Sequence, residues 1–286
     1  MIKKFLLIIF SIIILSSILL TSCTLEQEIF LKVDDVNLTT DEIDFNSNLL
    51  IIIHMEPGNF PDTTEQPGEY WDELVDLVEL ANQHNLKLNL MFNPQWGTYI
   101  LEEEERLNLV REWESDGHVL GVHHHGPQMG AWNGYTNQEN YIYNSKYLGT
   151  IEDMMGILNQ LPVSGQMLVG VISNDDDKNY DFPENFIYSL DGGINSFEDL
   201  MSTPEPCTYN NQDLICISHA IYGTGGEVAV SLEEIELALT VANEDQVVGI
   251  VFHANNFGDA PIPYVILFEY LNKLDIESVA ISDLNI

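Results

Sequence analysis

Apolar and polar positions alternate along this chain in blocks that predict strands and helices in turn. Leu49-Leu-Ile-Ile-Ile53 is an unbroken apolar run that stops at His54-Met-Glu56-Pro57-Gly58, a short buried strand closed by its Pro-Gly turn. From Tyr70 to Asn85 the residues Trp71, Leu74, Leu77, Val78 and Ala81 recur at helical spacing, and Leu86 to Phe92 alternates as a second strand before Asn93-Pro-Gln-Trp96. Leu101 to Ser115 reads as an acidic amphipathic helix, Val119 to His123 as a third strand, and residues 126–147, rich in Gly, Asn and Tyr, as a long loop. Thr150 to Leu161 is helical, Gln166 to Ile172 a strand, Ser173 to Asp177 a polar turn, and Leu214 to Ser218 a short strand. Ser231 opens a helix through Asn243, with Glu233 and Glu234 in the first turn where the helix dipole favours acids. Val247 to Phe252 is an apolar strand ending at His253, followed by a helix from Pro263 to Leu274 and a last strand from Glu277 to Ile281. Strands alternating with helices at this spacing predict a mostly parallel α/β domain. No internal repeat interrupts it.

Histidines concentrate where the strands end. His118, His123, His124 and His125 are half of the eight in the chain. Residues two apart on an extended strand point the same way, so His123 and His125 are placed to grip one ion while His124 points away. His54 and Glu56 follow the first strand and His253 the late one, and in a parallel barrel all such ends meet on one face. His84 and His219 lack such partners and read as surface or packing residues.

The chain opens Met-Ile-Lys-Lys, continues apolar from Phe5 to Leu20, and reaches Leu20-Thr-Ser-Cys23. This is the layout of a secretion signal over residues 1–22, and its last four residues resemble the bacterial lipoprotein box, in which the cysteine is lipidated. Cys23 is then a membrane anchor, residues 23–47 a polar tether, and the rest extracytoplasmic. An uncleaved membrane helix is the alternative, though the run is short for one. Removal of residues 1–22 takes away Lys3 and Lys4 and no acid, moving the net charge from −37 to −39. Such a surface repels nucleic acid, and no basic cluster offers a site for it. Cys207 and Cys216 flank the turn-like Asn210-Asn211, where they would close a disulfide or remain two buried thiols.

Gly117-His-Val-Leu-Gly-Val-His123, Gly249-Ile-Val-Phe-His253 and Val279-Ala-Ile-Ser-Asp-Leu284 resemble, in order and local sequence, segments of the polysaccharide deacetylase family, the NodB homology domain. The resemblance spans about residues 48–286. It implies a distorted (β/α) barrel holding a divalent metal, zinc above all, and removal of acyl groups from a carbohydrate. On that pattern His123 binds metal with His125, and Glu56 supplies either the carboxylate ligand or the general base while His54 takes the other task. His253 protonates the leaving group and His118 supports packing. Trp96, Trp132 and Tyr135 are candidates to stack on sugar rings, or core aromatics. Asp175 is a candidate substrate contact, or part of a solvated acidic turn. The chain departs from the pattern where the family has paired aspartates, a second histidine at the position of Pro127, and an arginine between Leu168 and Asp177. Those departures motivate an alternative, a non-catalytic glycan-binding lipoprotein, and a third reading, hydrolysis of another bond such as a glycosidic one.

Overall fold

A computed structural model describes residues 48–58, 62–162, 167–170, 175–190, 197–223 and 229–284. The predicted signal, Cys23 and the tether lie outside the described residues. The elements are β1 (Asn48–His54), α1 (Glu65–Gln83), β2 (Leu88–Phe92), α2 (Pro94–Leu101), α3 (Glu104–Ser115), β3 (Val119–His124), α4 (Ile151–Leu158), β4 (Met167–Gly170) and α5 (Asp175–Asp181). They continue as β5 (Tyr188–Leu190), α6 (Phe197–Leu200), β6 (Met201–Ser202), β7 (Glu205–Tyr209), β8 (Gln212–Ile217), β9 (Ala220–Ile221), α7 (Leu232–Val241), β10 (Val247–His253), α8 (Ala254–Asp259) and α9 (Ile262–Lys273).

The strands form one mixed sheet in the order β6-β10-β1-β2-β3-β4-β5-β8-β7, with β9 also on β10. The pairs β1–β10, β1–β2, β2–β3, β3–β4, β4–β5, β5–β8 and β9–β10 are parallel. β6 on β10 and β7 on β8 are antiparallel. The run from β8 to β9 pairs with β5 at its start and with β10 at its end. Gly249 makes the second pairing possible, because a Cβ there would stand 2.8 Å from the Ser218 carbonyl oxygen and 2.9 Å from the His219 Cβ.

Both faces of β1 are buried, as expected of a parallel strand. Leu49, Ile51 and Ile53 join the core formed with the helices, including Leu74, Leu77, Val78 and Ala81 of α1. Leu50 and Ile52 face the other way and meet Met91, Val119, Leu190, Ile217 and Val251, a second cluster also containing Ile281 and Leu284. The side-chain period of two carries this second face up to His54 on β1, His123 on β3 and His253 on β10.

Several predicted elements change at their edges. Ser173 to Asp177 is not simply a turn, since residues from Asp175 onward wind into α5. The expected strand from Glu277 to Ile281 is a single bridge, Leu49 to Ser278, followed by a 3-10 turn over Ile281–Asp283. Pro94 starts its own helix, α2, capped by the Asn93 side chain, which accepts from the backbone N–H groups of Gln95 and Trp96. The loop 126–147 contains a 3-10 turn at Glu139–Tyr141 and buries Trp132, Asn133 and Thr136. Cys207 and Cys216 form a disulfide across the β7–β8 hairpin, whose turn residues Asn210 and Asn211 have φ of 49° and 57°. Among the described residues no helix is long and apolar enough to cross a membrane.

His118 ties α1 to the sheet. Its Nδ1 accepts from the Leu88 backbone N–H at 3.0 Å, so Nε2 carries the proton and donates to Asn82 Oδ1 at 3.0 Å. Burial, with the Lys87 charge adding to it, lowers its pKa to about 4. The unfolded chain therefore takes up this proton first, and stability falls with pH from about 6.5 and levels off near 4, a loss of about 3 kcal/mol. Urea unfolding at pH 7.5 and 4.5 should show the advantage of the natural chain over His118→Gln shrinking by about that amount; a constant difference would refute the assignment. Gly249→Ala should cost about 1–3 kcal/mol in the same assay at neutral pH.

Candidate functional site

The register of β1 with β10 sets His54 beside His253 and the register of β3 raises His123 to the same end of the sheet. Beyond β1 the chain is pinned by α2: Asn93 Nδ2 donates to the Met55 carbonyl at 2.7 Å and Trp96 Nε1 to the Glu56 carbonyl at 3.0 Å. These two contacts hold the Glu56 side chain over the strand ends. Glu56 Oε1 lies 3.3 Å from His123 Nε2, 3.1 Å from His125 Nε2 and 3.2 Å from His253 Nε2. His123 Nε2 and His125 Nε2 are 2.8 Å apart.

Glu56 Oε1, His123 Nε2 and His125 Nε2 thus face one another at 2.8–3.3 Å, roughly the edge length, about 3.3 Å, of a tetrahedron of nitrogens and oxygens around zinc. Two features favour an ion among them. A carboxylate oxygen cannot accept three well-formed bonds from one direction, and His253 Nδ1 already donates to Asn256 Oδ1 at 2.9 Å, which turns a bare Nε2 toward Glu56 unless that ring is protonated. In addition, Glu56 Oε2, His54 Nε2 and His123 Nδ1 are buried with no hydrogen-bond partner among the described residues. One ligand atom from each of His54, Glu56 and His123 lies within 4.8 Å of the others.

The electrostatics divide the cluster. Burial pushes the Glu56 carboxyl up, but His125 and His123 outweigh it and hold the pKa well below the ordinary value. Burial lowers His123 to about 4 against the pull of Glu56. His54 is held well below the usual range by burial and then by His123, His219 and His253. His253 goes the other way: burial lowers it, but the hydrogen bond and charge of Glu56, with Asn256, carry it upward. Its side chain is 25% exposed against 0% for His123.

His219, read from the sequence as a surface or packing residue without partners at the site, packs edge-on against His54 at 5.6 Å and is 2% exposed. The missed signal is Ile217, which faces the inner cluster and so brings 219 to the same face. His84 sits at the C-terminal end of α1, away from the cluster. His124 points away, as alternation requires: its Nδ1 meets Asn133 Oδ1 at 3.1 Å and its Nε2 lies 3.9 Å from Asp181 Oδ2. The buried Asp181 accepts from Thr136 Oγ1 at 2.6 Å, the Asn137 backbone N–H at 3.0 Å and Gln138 Nε2 at 3.2 Å, which anchors the loop beside the site.

The aromatic candidates belong to the core. Trp96, Trp132 and Tyr135 are 1%, 3% and 8% exposed, so none presents a face to a sugar ring. Their polar atoms serve the backbone, as when Trp132 Nε1 donates to the Tyr135 carbonyl at 2.9 Å. Asp175 opens α5, and its side chain lies outside the described residues. A cavity of about 310 Å³ lined by Pro57, Gly58, Glu69, Tyr70 and Asn255 adjoins the Glu56 and His253 segments. A larger one, about 730 Å³, lies between α4 and residues 182–186, away from the histidines.

No family model and no curated protein match this chain. The fold does match a solved structure, a probable polysaccharide deacetylase from Pseudomonas aeruginosa PAO1, with a TM-score of 0.50 at 13% identity over 82% of this chain and 88% of that one. The shared feature is the fold. A 4-alpha-glucanotransferase from Thermococcus litoralis gives a TM-score of 0.48 at 13% identity over 83% of this chain and 38% of that one.

If these side chains hold an ion, zinc at about 100 times its Kd should stabilise the chain by about 2.7 kcal/mol, on the order of 5 °C in melting temperature. Folded His123→Ala and His125→Ala variants should lose that shift. An equal shift in both would place the ion elsewhere.

Proposed function

We propose that this chain is a metal-dependent hydrolase that removes acyl groups from an amino-sugar carbohydrate, on a sheet closed into a distorted barrel. The observation that carries the reading is the convergence of His123, His125 and His253 Nε2 on Glu56 Oε1 at the C-terminal ends of parallel strands. Support for closure comes from the β8–β9 run, which pairs with β5 and β10, and from the inner cluster, which gathers side chains of β1, β5, β8 and β10.

In this reading His123, His125 and Glu56 hold the ion, and zinc suits a set of imidazole and carboxylate donors. When bound, such an ion polarises an acyl carbonyl and makes a water molecule more acidic. Glu56 accepts the water proton through Oε2, which has no hydrogen-bond partner among the described residues. The carbon–nitrogen bond breaks as the carbon–oxygen bond forms, and His253, partly exposed and with its pKa drawn upward, gives its Nε2 proton to the departing nitrogen. The proposal also puts the domain outside the cytoplasm, tethered through lipidated Cys23. The leader sequence and the Cys207–Cys216 disulfide, a bond that persists in oxidising compartments, support that placement.

A second reading, a glycan-binding protein without turnover, is favoured by one observation. The end of β1 supplies one carboxylate, Glu56, where the deacetylase pattern carries two.

Acetate release from N-acetylated amino-sugar oligomers, measured with zinc supplied, separates the two. Turnover that falls about 100-fold or more in kcat in His253→Ala, with KM little changed, is the expected result. Oligomer binding with no acetate released would replace the hydrolase with the binding protein.

A further inference from the structure

The start of α1 carries an arrangement to which the proposed chemistry gives no task. Glu65 and Glu69 stand one turn apart, a pair of like charges that weakens an isolated helix, so local helix stability gives no reason for them. With Thr63, Gln66, Tyr70 and Asn255 they line the cavity of about 310 Å³ that adjoins the segments after Glu56 and His253, and among the described residues no Lys, Arg or His lines it. Its size falls within the range of small-molecule sites, about 300–1,000 Å³. Tyr70 leaves helical geometry at φ −114° and ψ 16°, and its hydroxyl donates to Asp259 Oδ1 at 3.2 Å. Burial raises its pKa, and the hydrogen bond to Asp259 with the charges of Asp259, Glu69 and Glu73 raises it further, the mark of a negative field. Gln66 Oε1 and Asn255 Oδ1 are buried with no hydrogen-bond partner among the described residues. Gly58, with φ of 78°, keeps the wall open, since a Cβ there would stand 2.5 Å from Gln66 Oε1. A buried acceptor without a donor is unfavourable unless a ligand supplies one.

We propose that this cavity is a subsite for a sugar bearing a protonated amine, the neighbour of the sugar whose acyl group is removed. Two unmet amide oxygens and two carboxylates call for a ligand rich in donors and positively charged, and a primary ammonium offers three N–H groups. An anion would meet only acceptors there, and an acylated nitrogen would leave both carboxylates without a counter-charge. That the amine sits on a sugar rests on the hydrolase reading: removal of an acyl group leaves an amine on the glycan, so a chain already worked on carries one beside its next acylated residue. The substrate class that follows is a partly deacylated, cationic glycan.

The test is calorimetric titration of the full chain with a glucosamine tetramer, its N-acetylated counterpart and tetralysine. Because the chain carries a net charge of −37, any polycation is drawn to it, and the control for that attraction is Glu104→Arg, the same charge change on the exposed start of α3. The glucosamine tetramer should bind about tenfold or more tighter than the acetylated one. Glu69→Arg should raise its Kd on the order of tenfold, and Glu104→Arg less than about twofold. If Glu69→Arg does not fold, Glu65→Arg is judged in the same way. A glucosamine tetramer that binds no tighter than the acetylated one overturns the proposal, as does a Kd for Glu69→Arg less than about threefold above that for Glu104→Arg. Tetralysine held as tightly, and lost equally in Glu69→Arg, would replace the sugar with a basic peptide. Acetate release bears on the hydrolase alone: turnover without preference for the amine leaves the enzyme and removes the subsite, whereas the amine held at Glu69 with no acetate released leaves the subsite and removes the enzyme.

Discussion

Parallel pairing at the middle of the sheet is the constraint on which the site depends. Because β1 runs alongside β10 in the same direction, His54 and His253 fall beside each other, and β2 carries the same direction across to β3 and His123. On each of these strands the alternate positions below the histidine face the inner apolar cluster, Leu50 and Ile52 on β1, Val119 on β3 and Val251 on β10. A slip of one residue in any strand would exchange a histidine of the inner face for a neighbour that faces the helices. The apolar core therefore sets the geometry of the polar cluster above it.

That cluster is costly. Polar atoms of His54, Glu56, His123 and His219 are buried without hydrogen-bond partners among the described residues, each a loss of about 1–3 kcal/mol. The cost is met by rigid surroundings: the fully buried residues of β1, the capped start of α2 that grips the Met55 and Glu56 carbonyls, and the Asp181 hub that holds the loop after His125. Other buried polar atoms without partners among the described residues, such as those of His84 and Ser189, are scattered, and it is the gathering of several at one place that marks a functional site.

Charge is distributed on a different principle. The net charge of −37 comes from acids spread along the chain, many on exposed helix faces such as Glu104 and Glu105 of α3, while the candidate site concentrates imidazoles around one carboxylate. The site neutralises a carboxylate locally, where imidazoles of His123, His125 and His253 surround Glu56. The departure from the deacetylase pattern at Glu56 falls within this cluster, so it bears on chemistry far more than on the fold.

Read alone, the sequence determined the alternation of strands and helices, the parallel class of the sheet, and the gathering of His123, His125, His253 and Glu56. These are properties of spacing: a buried parallel strand must be apolar on both faces, and polar residues then stand out at its end. The tertiary structure decided which neighbours each residue meets. His219 reaches His54 through a strand pairing that rests on Gly249, Trp96 turns its indole to the Glu56 backbone, and residues 175–181 wind into a helix whose last residue, Asp181, anchors a distant loop. Periodicity tells which face a side chain takes, and it is silent on what lies opposite, because that depends on strands brought together from far apart in the chain.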